Sequence, residues 1–268
     1  MCVTSKPAAI TNTQAFVYSM MMNGVLRHVV GYQNKVEYSR SGNCMFLNFA
    51  GKNLELVRGA ENTATLMGDI TRGLPSLVQE EMTRARASLG GGLMGVSVEK
   101  YGDYTVILAQ GPADIRSALN QVELERRPVW DDKFAQMIDF YMRWNPTHTF
   151  ALACFDGSIT PTHPICVSYE PHDANVLTIP GLDGHDGNIP KPDQLIYRDF
   201  TIAFGAEGVD LPHKVLYSDF LTRPPLWLPT SVAGFRDNRR NGPNGDYVIP
   251  LSSLLKGLTG TELAATLL

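Results

Sequence analysis

Residues 13–38 read TQAFVYSMMMNGVLRHVVGYQNKVEY, and their reading decides the fold. Two runs rich in β-branched and aromatic residues flank Asn23-Gly24, a dipeptide that readily takes positive φ at both positions of a two-residue hairpin loop. The stretch therefore predicts two antiparallel strands. NCMFLNFAG at 43–51 is a third extended run, so the first sixty residues are expected to form an antiparallel meander.

Moving outward, LPSLVQEEMTRARASL at 74–89 places Leu74, Leu77, Val78, Met82 and Ala85 on one helical face, and the glycines at 90–92 end it. LMGVSVEKY and DYTVILAQ flank Gly102 as a second hairpin, and Pro112 opens a helix in PADIRSALNQV. In DDKFAQMIDFYMRW the apolar stripe is Phe134, Met137, Ile138 and Tyr141, with Asp131 and Asp132 at the favourable N-terminal end. Strands resume in TFALACF, HPICVSYE, ANVLTIPG and IYRDFTIAFG. RPPLWLPTSVAGFRDNRRNGPNGDY, crowded with Pro, Gly and Asn, reads as a long loop or extended arm before a last helix around TGTELAATLL, with Thr261 as its cap.

Strands at both ends with helices between them predict an α+β fold of antiparallel sheets with packed helices. The expected division is a single core domain over 1–222 and, over 223–268, a Pro/Gly-rich arm with a C-terminal helix.

The 268 residues are 44% hydrophobic and 19% charged, which suits a globular chain with a sizeable core. A net charge of -4 gives no positive field for phosphate backbones, so nucleic acid is not an expected partner. No apolar run reaches the roughly 18 residues of a spanning helix, and the start lacks the basic-then-apolar pattern of a secretory leader. A soluble cytoplasmic protein is expected, without a cofactor. Its four cysteines, Cys2, Cys44, Cys154 and Cys166, show neither paired C-x-x-C spacing nor a disulfide framework. Cys44 and Cys166 lie in apolar strand-like runs and read as small core hydrophobes.

Cys2 is distinguished by position. Removal of Met1 would place its thiol beside a free α-amine whose pKa, about 7.7 to 8.0, suits a general base for nucleophilic attack. The structural alternative is a thiol that merely opens the first strand. A second cluster is LDGHDGNIP at 182–190, where Asp183, His185 and Asp186 are compressed among glycines. It reads either as an acid–base group, as a metal site on Asp183 and His185 lacking a third ligand, or as a glycine turn whose aspartates cap backbone N–H groups. Asn34 and Asn43 interrupt apolar strands and have the amide donors an oxyanion needs, although such residues more often mark strand ends. Arg27 and His28 are similarly placed.

MCVTSKPAAITNTQAF, HVVGYQN, GNCMFLNFAG, TFALACF, HPICVSY and IPGLDGHDGNIP together resemble a little-characterised group of bacterial proteins that begin Met-Cys and carry an HDG turn. The Met-Cys start and early hairpin also resemble the N-terminal-nucleophile (Ntn) amidohydrolases, such as the choloylglycine hydrolase and glutamine amidotransferase groups. That resemblance implies an αββα sandwich, with Cys2 matching the nucleophile. The chain departs from the pattern in having YSMMMNG where G-R-N-x-D follows the first hairpin.

The expected function is hydrolysis of a linear small-molecule or peptide amide through Cys2, with Asn34 or Asn43 near the oxyanion and His185 or Asp186 organising the site. The rival is a non-catalytic structural or assembly protein, forming a homo-oligomer through a docking arm at 223–268.

Overall fold

The computed structural model describes residues 3–62, 65–72, 74, 95–158, 161, 163–192, 194–211, 228–229 and 232–256. In chain order its strands are β1 (Val3–Thr4), β2 (Ala8–Met22), β3 (Val25–Ser39), β4 (Asn43–Phe49), β5 (Gly51–Leu56), β6 (Val96–Tyr101), β7 (Tyr104–Ala109), β8 (Thr149–Phe155), β9 (Ile165–Pro171), β10 (Val176–Ile179), β11 (Leu195–Ile196), β12 (Phe200–Ala206), β13 (Ala233–Asp237), β14 (Gly242–Pro243) and β15 (Tyr247–Pro250). The described helices are α1 (Leu66–Thr71), α2 (Pro112–Ala118), α3 (Asp132–Trp144) and α4 (Leu251–Leu255). The fold is α+β. No described helix is long and apolar enough to cross a membrane.

The strands form a five-stranded sheet in the order β1-β4-β8-β7-β6, a six-stranded sheet in the order β13-β12-β2-β3-β9-β5, and two two-stranded ribbons, β10-β15 and β11-β14. Every pairing between the described strands is antiparallel except β12 with β2. Asn23 (φ 51°) and Gly24 (φ 79°) turn β2 into β3 with Met22 opposite Val25, as the dipeptide predicts. Farther along, Asn12 takes φ 49° at a bulge in this pair, where its N–H donates to the Asp199 carboxylate at 2.7 Å.

The expected three-strand meander is corrected at β4, which crosses to the other sheet. All seven residues of β4 are buried, so both of its faces need cover, and a position between two apolar layers supplies it. The period of two divides those layers. Met45, Leu47 and Phe49, with Val106 and Leu108 of β7 and Ala151, Ala153 and Phe155 of β8, belong to the core shared with the six-stranded sheet. The alternate residues Cys44, Phe46, Ile107, Phe150, Leu152 and Cys154 pack instead with α2 and α3.

α3 fits this outer layer because its stripe is continuous. Phe134, Met137, Ile138 and Tyr141 are buried, and Asp131 caps the helix by accepting from the Phe134 N–H at 2.8 Å. Each of those side chains contributes about 2 kcal/mol of apolar burial. α1, not anticipated from the sequence, adds Leu66, Met67 and Ile70 to the inter-sheet core. The expected helices at 74–89 and 259–268 lie outside the described residues, Leu74 excepted, which is buried.

An arm over 223–268 is also corrected for its described part. β13 completes the six-stranded sheet and β15 pairs with β10, while Phe235, Tyr247, Ile249 and Leu254 are core residues. Among the described residues there, Gly234, Gly242, Pro243 and Pro250 lie within short paired strands rather than in a detached segment.

The β6–β7 turn differs from the first hairpin in what lies beneath it. Gly102 has φ 56°, and a Cβ there would fall 2.2 Å from Nε2 of buried His163, which accepts from the Asp103 N–H at 2.8 Å. Beside Gly24 a Cβ would meet nothing within 4 Å. Gly24→Ala is thus expected to cost about 1 kcal/mol of backbone strain and Gly102→Ala roughly 2–3 kcal/mol. Urea unfolding of both variants checks the order, and equal costs would contradict the packing at His163.

Candidate functional site

The chain that follows Cys2 is held on both sides. β1 pairs with β4, Val3 opposite Phe46 and Thr4 opposite Met45, and Val3 also bridges Gly184 in parallel. The Thr4 N–H donates to the Gly184 carbonyl at 2.9 Å, the Ser5 N–H to Cys44 at 3.1 Å, and the Ala8 N–H to His185 at 2.9 Å. Val3 is fully buried and shares a core with Phe46 and Leu182. Cys2 itself lies outside the described residues.

Asn43 fastens this segment from below. Its Oδ1 accepts from Ser5 Oγ (2.8 Å), the Lys6 N–H (2.9 Å) and the Cys44 N–H (2.9 Å), while Nδ2 donates to the Lys6 carbonyl (3.1 Å) and Ser39 Oγ (2.9 Å). Both amide hydrogens are engaged, so the oxyanion role expected of Asn43 is corrected: it is a clamp on residues 5–6. Asn34 is buried with Nδ2 3.3 Å from the Met45 sulfur. That contact places it in the inter-sheet core and makes it a packing residue.

The 182–190 turn divides its candidates. Asp186 forms an Asx turn, its carboxylate accepting from the Asn188 N–H (2.9 Å) and Asn188 Nδ2 (2.7 Å). Burial works against it, but those bonds hold its carboxyl below the usual range. This is the capping role, and the expectation that Asp186 organises a catalytic site is corrected. His185 turns the other way and sets Nε2 3.3 Å from Asp183 Oδ1, both side chains mostly buried. Burial pushes the Asp183 carboxyl up against the attraction of the Arg198 charge. Among the described residues no group of three acidic, histidine or cysteine side chains gathers to hold a metal. Of Gly181, Gly184 and Gly187 only Gly187 has positive φ (69°), while Gly181 is needed because a Cβ would fall 2.7 Å from the Gly245 carbonyl.

A buried network that sequence reasoning missed carries the turn. Arg198 is 2% exposed, and its guanidinium donates to Tyr247 Oη (3.0 Å) and to the carbonyls of Gly181 (3.1 Å), Pro243 (3.1 Å) and Gly245 (3.3 Å). It lies between the rings of Tyr247 and Phe200, at 4.4 and 4.8 Å from their centroids. Its Nε is 3.6 Å from the Asp237 carboxylate, which Arg239 grips with two 2.7 Å bonds. Burial pushes the Asp237 carboxyl up, but Arg239 and Arg198 outweigh it and hold the group below the usual range. Asp246 accepts from the N–H groups of Gly181 (2.8 Å) and Leu182 (3.2 Å), and Asn244 Oδ1 from that of Asp183 (2.7 Å). The available signal was charge inside apolar sequence: Arg198 in IYRDFT and Asp246 in NGDYV.

Arg27 and His28 are structural. Arg27 is buried, bonded to the carbonyls of Asn53 (2.6 Å) and Ser168 (3.1 Å) and 3.3 Å from Glu55. His28 is fully buried against Tyr169, ring centroids 5.6 Å apart. Desolvation lowers its pKa to about 4, against weaker pulls from the Ala174 backbone and Asp173.

No family model matches the chain, and no curated protein matches it. Among solved structures it is similar to the crystal structure of baculovirus P35, with a TM-score of 0.45 and 12% identity over 94% of this chain and 92% of that one. It is also similar to the structure of a mutated baculovirus P35 after caspase cleavage, with a TM-score of 0.42 and 12% identity over 90% of this chain and 92% of that one.

Two outcomes are expected. Asn43→Ala should lose about 2–4 kcal/mol of stability, since it leaves several buried partners unpaired, and should speed hydrogen exchange at the Lys6 and Cys44 amides. Unchanged exchange at those amides would contradict the clamp. For His28, the unfolded chain protonates near pH 6.5 and the folded chain only near 4. Its contribution is therefore intact above about pH 6.5 and is lost as pH falls toward 4, at up to about 1.4 kcal/mol per pH unit. His28→Phe should flatten the pH dependence of unfolding between these values by about one proton, and an unaltered slope would contradict a buried neutral imidazole.

Proposed function

We propose that the chain hydrolyses a linear amide, small-molecule or peptide, through Cys2 exposed by removal of Met1, in a core related to the Ntn αββα sandwich. The observation that carries the reading is the two-sided fixing of residues 3–8 by β4, Asn43 and the 184–185 carbonyls. Val3, the next residue in the sequence after Cys2, is buried, and a nucleophile benefits from an anchored neighbouring backbone.

The chemistry follows from the groups at such a terminus. The α-amine takes the thiol proton, and the thiolate adds to the amide carbonyl. Collapse of the adduct breaks the C–N bond as the leaving amine takes that proton from the α-ammonium, and water then hydrolyses the thioester, releasing the carboxylic acid and restoring the thiol. His185, beside Asp183 and next to the bridging Gly184, is the side chain assigned to orient or relay protons. The three buried free thiols, Cys44, Cys154 and Cys166, fit a reducing cytoplasm.

A second reading, a non-catalytic binding or assembly protein, is favoured by one observation. The Asn43 amide meant for an oxyanion is wholly engaged in the fold.

The two readings part on Cys2→Ala. With a mixed library of blocked peptides and N-acyl amides, released amines are read by mass spectrometry. The native chain should turn over a subset, and Cys2→Ala none, with a melting temperature within a few degrees because loss of one small thiol near a terminus costs roughly 1 kcal/mol or less. Equal turnover by the variant would remove Cys2 as the nucleophile, and no turnover by either would favour the binding reading.

A further inference from the structure

A cleft of about 540 Å³ opens beside the clamped N-terminal segment, between Lys6, the 41–42 turn, the end of α2 and the 124–130 loop. We propose that this cleft binds an acidic peptide, with carboxylate side chains on its cationic wall and apolar side chains on the adjoining rim. The proposal deepens the peptide-amide reading, on which it rests for the reason a peptide should lie here.

The first argument is charge. The whole chain has a net charge of -4, yet the cleft is lined by Lys6, Arg116 and Arg127 against one carboxylate, Glu125. The three cations are engaged by neutral groups. Lys6 Nζ donates to the Ser41 carbonyl at 2.8 Å, and Arg127 donates to the carbonyls of Val122 (3.0 and 2.7 Å) and Asn120 (3.0 Å). Arg116 lies 5.5 Å from the Trp130 ring centroid. Such contacts orient a cation without cancelling its charge, so a concave positive field is left for an anion.

The second argument is the rim. Leu124 is 75% exposed and Val129 61% exposed, among the most exposed large apolar residues described, and both line this cleft with Trp130. A small inorganic anion would use the cations and leave that surface wet, whereas a peptide with alternating acidic and apolar side chains would use both.

Third, the walls are fixed relative to the segment that holds Lys6. The Gly42 N–H donates to the Glu125 carbonyl at 2.9 Å, and Asn43 holds Lys6 from the adjoining residue. Lys6 is four residues from Cys2, at most about 14 Å of extended chain. A peptide in the cleft therefore lies against the segment that follows the thiol in sequence.

The test uses a blocked, fluorescein-labelled hexapeptide alternating Asp and Leu, its Asn counterpart, and fluorescence anisotropy on the native and Cys2→Ala chains. The Asp peptide should bind about tenfold tighter than the Asn peptide, the difference expected from a charge-assisted contact. Arg116→Gln and Lys6→Gln should each weaken the Asp peptide severalfold and leave the Asn peptide unaltered. Equal affinity for the two peptides, or indifference to both substitutions, would overturn the proposal. Displacement of the Asp peptide by an equal concentration of inorganic phosphate would also overturn it, in favour of a small-anion site. Asp-dependent binding by Cys2→Ala with no turnover by the native chain would keep the cleft and remove the chemistry. Turnover without an Asp preference would keep the chemistry and remove the cleft.

Discussion

Arg198 is the constraint on which the 181–187 turn and the N-terminal segment beside it depend. A guanidinium taken out of water carries a penalty of several kcal/mol unless its donors and its charge are met. Here carbonyls from two separate segments, the Tyr247 hydroxyl and the Asp237 carboxylate meet them, between two aromatic faces. Because the acceptors come from residue 181 and from residues 243–247, satisfying the arginine draws these segments together. The carboxylate of Asp246 and the amide of Asn244 then hold residues 181–183 by their backbone. Few positions are left to the turn that follows.

That turn is the outer support of the N-terminal segment, and Asn43 is the inner one. Between them the backbone of residues 3–8 meets carbonyls of residues 44, 184 and 185 and the Asn43 side chain. A two-residue edge strand would otherwise be prone to fray. The same anchoring brings Lys6 to the mouth of the cationic cleft, so the segment from residue 3 to residue 6 and the cleft share supports assembled by groups that satisfy backbone rather than by groups chosen for chemistry.

What could be read from sequence was local. Asn23-Gly24 and Gly102 specify hairpins because positive φ is a property of a dipeptide or a glycine, and the α3 stripe follows from a period contained in 13 residues. The sheet to which β4 belongs was not legible, since NCMFLNF is apolar on both faces and its cover comes from β8 and α3, about a hundred residues away. Asn43 read as an amide free to serve an oxyanion because its partners, Ser5 and Lys6, lie 38 and 37 residues earlier. In the HDG turn the glycines announced a reversal, but the separation of Asp186, which caps the turn, from His185, which meets Asp183, depends on β1 and on residues 244–246 behind it.

Residue 2 is where the structural account becomes a functional one, and peptide-mapped mass spectrometry of the native protein after brief exposure to iodoacetamide examines it directly. The account predicts a chain that begins at Cys2 with a free amine and is alkylated rapidly there, while Cys44, Cys154 and Cys166, all fully buried, stay unmodified. Retention of Met1, or a Cys2 that reacts no faster than the three buried thiols, would contradict it.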